Sequence, residues 1–173
     1  MTSRSLAGGR FRASGPSGIR NRGMRGLSIV CALALTATAS AASAQDPSAS
    51  GTAGSISRSS GFTPDPITVS IYSGGGIDAS QTLGGACVGM VASAPDYEFT
   101  YQAGSLPLTF SVASDVDTSL VVNGPDGQWY CVDDSDGLDP VLRWARPMSG
   151  TYDIWVGAVG QAGSSTLYIT ELN

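Results

Sequence analysis

The stretch CVDDSDGLDP, from Cys131 to Pro140, puts Asp133, Asp134, Asp136 and Asp139 within seven residues. Carboxylates at this spacing suit two kinds of chemistry. As hard oxygen donors they match calcium, which takes six to eight oxygens from such loops. As an acid–base pair they match glycoside hydrolysis, which needs two carboxyl groups roughly 5–10 Å apart. A third reading is a solvated turn in which Asp and Ser bond their own backbone. The EF-hand pattern is not met. With Asp134 and Asp136 as second and third ligands, Val132 takes the first position and no glutamate closes the loop.

Asp115 and Asp117 lie two apart at the entry to an expected strand, so both point to one face. A hairpin of Thr118–Asn123 with Gln128–Val132 would bring residues 118 and 132 together and Asp117 close to Asp133. The candidate calcium ligands are therefore Asp115, Asp117, Asp133, Asp134, Asp136 and Asp139. The hydrolase alternative uses Asp117 and Asp134. Nucleophilic catalysis has little to work with. The chain contains no histidine and no lysine, which excludes Ser-His-Asp, Cys-His and Ser-Lys arrangements within it. No G-x-S-x-G elbow occurs either. The expectation is a protein that binds rather than catalyses.

Aromatic residues are the other candidates. Trp129, Trp144 and Trp155 fall in the second half of the chain, and Trp155 alternates with Tyr152, Ile154 and Val156. An outward tryptophan beside tyrosines could stack on sugar rings or anchor a partner. A cross-strand aromatic pair on an outer face is the competing reading. The partner expected from these residues is a protein or polysaccharide of the cell envelope.

Export sets the chemical environment of all these groups. Residues 1–44 carry six arginines and no acid, then the apolar run Leu27–Leu35, then Ala42-Ser43-Ala44 before Gln45. Basic region, short apolar run and A-x-A site describe a signal peptide. The apolar run is too short for a span of about 20 residues. Met24 offers a second translation start. Removal of 1–44 leaves three arginines against fourteen acids, a net charge of −11. Such a chain lacks the basic footprint that nucleic acid requires. The expected location is the periplasm or the exterior, where the remaining pair, Cys87 and Cys131, is most simply a disulfide.

The elements that must position these residues are strands. Residues 45–61 are almost all Ser, Ala, Gly, Thr, Asp and Pro and read as a disordered linker. Residues 62–173 form one domain. Ile67, Val69 and Ile71 alternate with polar residues, as do Tyr97, Phe99 and Tyr101, and Leu108, Phe110 and Val112. Five further segments follow, 118–123, 128–132, 141–145, 151–158 and 165–171. Period-two alternation marks half-buried strands. About eight short strands with regular turns predict an all-β antiparallel sandwich or jelly roll.

The run Asp115-Val-Asp-Thr-Ser-Leu-Val-Val-Asn-Gly-Pro-Asp-Gly127 resembles the D-x-D…P-D-G core of bacterial pre-peptidase C-terminal domains. Ser149-Gly-Thr-Tyr-Asp-Ile-Trp-Val156 resembles their closing G-T-Y strand. The resemblance covers roughly 96–172 and implies an exported β-sandwich in a stand-alone form, with an adhesion, targeting or stabilising role. This chain lacks the protease domain to which such modules are usually appended, so the resemblance implies no peptidase activity.

Overall fold

The computed structural model describes residues 44–85, 87–135 and 137–172. The expected signal peptide and Asp136 lie outside the described residues, apart from Ala44. The protein is an all-β sandwich of two sheets. In chain order the strands are β1 (Ser55–Ser59), β2 (Ile67–Tyr72), β3 (Ile77–Asp78), β4 (Met90–Val91), β5 (Tyr97–Gln102) and β6 (Leu108–Ser114). They continue with β7 (Thr118–Asn123), β8 (Trp129–Val132), β9 (Val141–Trp144), β10 (Gly150–Ala158) and β11 (Ser164–Thr170). One short helix, α1 (Ala79–Thr82), follows β3. All eight expected strands are present. The three additional ones are β1, β3 and β4, of which the last two are only two residues long.

The seven-stranded sheet is built around β10. Along one side β10 pairs with β5, through Gly150–Ile154, and then with β4 at Ala158. Along the other it pairs with β7, through Asp153–Ala158. The second sheet has the order β2-β11-β6-β9, all antiparallel. Alternation drives the packing between them, because odd and even residues of a strand face opposite ways. Phe99, Tyr101, Leu120, Val122, Tyr152 and Ile154 meet Ile67, Leu108, Phe110, Val112, Leu167 and Ile169 in the core. Phe110 lies edge-on to Phe99 and Tyr152, with centroids 6.0 and 5.6 Å away. These are favourable aromatic geometries.

A second apolar cluster lies on the opposite face of β10. Ile77, Ala79, Cys87 and Val91 come from the excursion between β2 and β5 and pack with Val121 and Trp155. Cys87 and Cys131 form a disulfide that ties this excursion to β8. Asp78 starts α1 by accepting a 2.9 Å bond from the Ser80 backbone N–H, the usual N-cap contact. Gly157 lets the excursion approach: a Cβ there would meet Ser119 Oγ at 2.3 Å and Val91 Cγ1 at 3.1 Å.

The disordered linker expected over 45–61 is a correction. Ser55–Ser59 forms β1 and pairs in parallel with β5. Before it, Asp46 N–H donates to Ser93 O at 2.8 Å and Ala53 N–H to Asp96 O at 2.7 Å. Low hydrophobicity shows that a segment cannot build its own core. It does not prevent its backbone from docking on an existing sheet edge, since every residue but proline carries a donor and an acceptor. After β1, Gly61 N–H donates to Glu171 Oε2 at 2.7 Å, and the Tyr101 hydroxyl donates to Glu171 Oε1.

The disulfide closes a loop with a sequence separation of 44. In the chain-entropy treatment that stabilises the folded state by about 4 kcal/mol. The Cys87→Ala/Cys131→Ala double variant is expected to lose roughly that much in denaturant unfolding. A loss below about 1 kcal/mol would show that the excursion holds itself in place.

Candidate metal centre and the fate of the aromatic candidates

The β7–β8 hairpin brings three of the six candidate carboxylates together. One oxygen from each of Asp117, Asp133 and Asp134 lies within 4.8 Å of the others. The hairpin closes on Asn123↔Trp129, with Leu120 opposite Val132. The expected partner of Val132 was residue 118. The difference comes from the turn, which is longer than anticipated: Gly124 N–H donates to Gln128 O at 2.9 Å, and Gly127 adopts φ 72°. Asp126 braces the turn, accepting from Gln128 N–H at 3.0 Å and from the Tyr130 hydroxyl at 2.7 Å. Even in the shifted register Asp117 and Asp133 leave their strands at the same end and meet.

The trio lacks donors. Asp117 Oδ1 and Asp133 Oδ1 are both shielded from solvent and have no hydrogen-bond partner among the described residues. Burial pushes the Asp133 carboxyl above its usual range, and the nearby Asp134 and Asp117 charges push it further. Shielded carboxylate oxygens without donors are costly, and like charges held together add to the cost. A divalent cation would remove both penalties, and hard carboxylate oxygens are the ligands calcium prefers.

The other three candidates are not part of this trio. Asp139 Oδ1 accepts from Ser114 N–H at 3.2 Å, and its backbone oxygen accepts from Ser135 N–H at 3.3 Å. Asp115 is exposed. Together Asp115 and Asp139 line a separate groove of about 330 Å³ with Ser114, Ser164 and Thr166. Asp136 lies outside the described residues.

The aromatic candidates are corrected. Trp155 does alternate out of the main core, as its position predicts, yet it is fully buried in the second cluster. Trp129 packs on it with centroids 5.2 Å apart. Trp144 packs against the main core, 5.3 Å from Phe110 and 5.2 Å from Tyr152. These three side chains make no open aromatic face. The cross-strand aromatic reading describes them better, and the excursion carrying Ile77–Val91 is the reason.

Two carboxylates that the sequence did not single out are more deeply buried than any of the described candidate carboxylates. Asp96 and Asp153 are 6% and 7% exposed. Asp96 Oδ2 accepts from Val156 N–H at 2.7 Å, but desolvation dominates and its pKa is pushed up to about 6. Asp153 on β10 stands opposite Glu98 on β5. Desolvation, with the Glu98 charge second, pushes it to about 6 as well. The only sequence signal was a polar residue in β10 for Asp153 and one just before β5 for Asp96, which is ordinarily the mark of solvent.

The fold defines the class as a two-sheet all-β sandwich with an acidic hairpin end. No known protein family matches the chain, and no curated protein matches it.

Carboxyls whose folded pKa stands above the ordinary 3.8 hold their protons more tightly in the folded state than in the unfolded one. Their contribution to stability is complete below pH of about 4 and is lost as pH rises through about 6. In chelator, the melting temperature is expected to fall between pH 4.5 and 7.5. Asp153→Asn should raise it at pH 7.5 and flatten the profile. An unchanged profile in that variant would mean that Asp153 stays charged or is hydrated in the fold.

Proposed function

We propose that this protein is an exported, non-catalytic binding module whose acidic hairpin end holds calcium. The observation that carries the metal is the pair of shielded, donorless oxygens on Asp117 and Asp133, with Asp134 completing the trio. Asp117, Asp133 and Asp134 would supply the protein ligands. The ion would neutralise their mutual repulsion and so lock the open end of the β7–β8 hairpin.

Support for export comes from the basic, apolar and A-x-A order of residues 1–44 and from a disulfide, which persists in oxidising compartments. Among the described residues no helix is long and apolar enough to cross a membrane. The reading assigns the protein to the periplasm or the exterior, as a relative of the pre-peptidase C-terminal domains that it resembles. Non-catalytic action fits the composition, which offers neither histidine nor lysine. The glycosidase alternative fits less well. Asp117 and Asp134 sit in one tight cluster rather than on opposite walls of a cleft.

Calcium at a hundred times its dissociation constant stabilises a protein by about 2.7 kcal/mol, on the order of 10 °C for a domain of this size. A rise of that order is expected in millimolar calcium and should reverse in chelator. Asp133→Asn should abolish the rise while leaving the metal-free protein at least as stable as the parent, because it removes a shielded charge. Equal melting curves with and without calcium would refute the site.

A further inference from the structure

The four-stranded sheet has an uncovered outer face of unusual composition for so acidic a chain. Its outward positions are Thr68, Ser70 and Tyr72 on β2, Ser164, Thr166, Tyr168 and Thr170 on β11, and Ser111 and Ala113 on β6, while Thr109 on the same side of β6 is buried. Val141 and Arg143 on β9 complete it. No acid occurs among them, although fourteen acids follow residue 44. Their inward neighbours Ile67, Ile71, Leu167, Ile169, Phe110 and Val112 are all in the core, so the face is rigidly mounted.

Register places Thr68, Tyr168 and Ser111 in one row and Ser70, Thr166 and Ala113 in the next. Tyr72 stands opposite Ser164, one row further on. The two tyrosines are therefore two rows apart, roughly 13 Å along the strands at about 3.3 Å per residue. Tyr72 is 69% exposed, the most exposed large hydrophobic residue of the described chain. Among the described residues the hydroxyls of Thr68, Ser70, Ser111, Thr166, Tyr72 and Tyr168 make no intramolecular hydrogen bond. The groove of Asp115 and Asp139 opens at the Thr166 end of the same face.

We infer that this face binds a neutral polysaccharide chain. The inference rests on the binding-module reading and moves recognition from the three tryptophans to the outer face of the four-stranded sheet. Flat aromatic rings offer apolar stacking area with a polar edge, which matches a sugar ring with its axial C–H groups. Unpaired hydroxyls act as both donor and acceptor, and so do sugar hydroxyls. The groove carboxylates accept from sugar hydroxyls and disfavour anionic polymers. A charged ligand would find one arginine on this face and a net negative chain around it.

The test is co-sedimentation of the processed, exported protein with microcrystalline cellulose, chitin and granular starch, and with alginate gel as an anionic control. Retention on at least one neutral polymer and none on alginate is expected. Tyr72→Ala and Tyr168→Ala should each weaken that retention about tenfold or more, with unchanged far-ultraviolet dichroism. Failure to bind all three neutral polymers, equal binding by the tyrosine variants, or preference for alginate would each overturn the inference. Asp133→Asn should lose the calcium response and keep polysaccharide binding, so the two readings fail separately. Release of new reducing ends would refute the non-catalytic reading, while the tyrosine variants would still decide the face.

Discussion

Burial of β10 on both faces governs the rest of the structure. Tyr152, Ile154 and Val156 fill the space between the sheets, and Trp155 with Val121 would lie open on the far side without the Ile77–Val91 excursion. A strand that is apolar on both sides needs two covers. The second sheet supplies one. The other is a short helix and two two-residue strands, with little backbone pairing of their own, and the disulfide holds them down. The N-terminal segment extends that cover, docking by backbone bonds near Asp96 and Glu98.

That double covering also explains the electrostatics. Asp153 takes an outward position in β10 and Asp96 lies just before β5, but neither faces water, so their carboxyls are desolvated. The acids at the hairpin end face a different difficulty, since they are crowded by their own kind. The outer face of the four-stranded sheet differs from both, since its outward positions carry hydroxyls, one arginine and no acid. The molecule thus carries a carboxylate-rich hairpin end and a hydroxyl-rich plane.

Much of this was legible in the chain. Period-two alternation located eight strands and the inward residues of β2, β5 and β6, and the two cysteines remaining after residue 44 paired as expected. Proximity of Asp117 to Asp133 followed from a hairpin whose turn residues were plain, although the register was off because a longer turn shifts the partners. Asp115 and Asp139 could not be separated from the trio by sequence, since their different neighbours come from β6 and β11.

The sequence by itself determined which side of each strand a residue takes, because that depends only on the two-residue period of an extended backbone. It also determined the chemistry that is missing, since side chains absent from the chain cannot be supplied by folding. Only the tertiary structure decided what each side faces. Trp155 points outward by sequence and is buried by a segment more than sixty residues away, and Asp153 points outward and is buried too. Thr68, Ser70 and Tyr72 point outward by the same rule and meet solvent, because no part of the described chain lies over them.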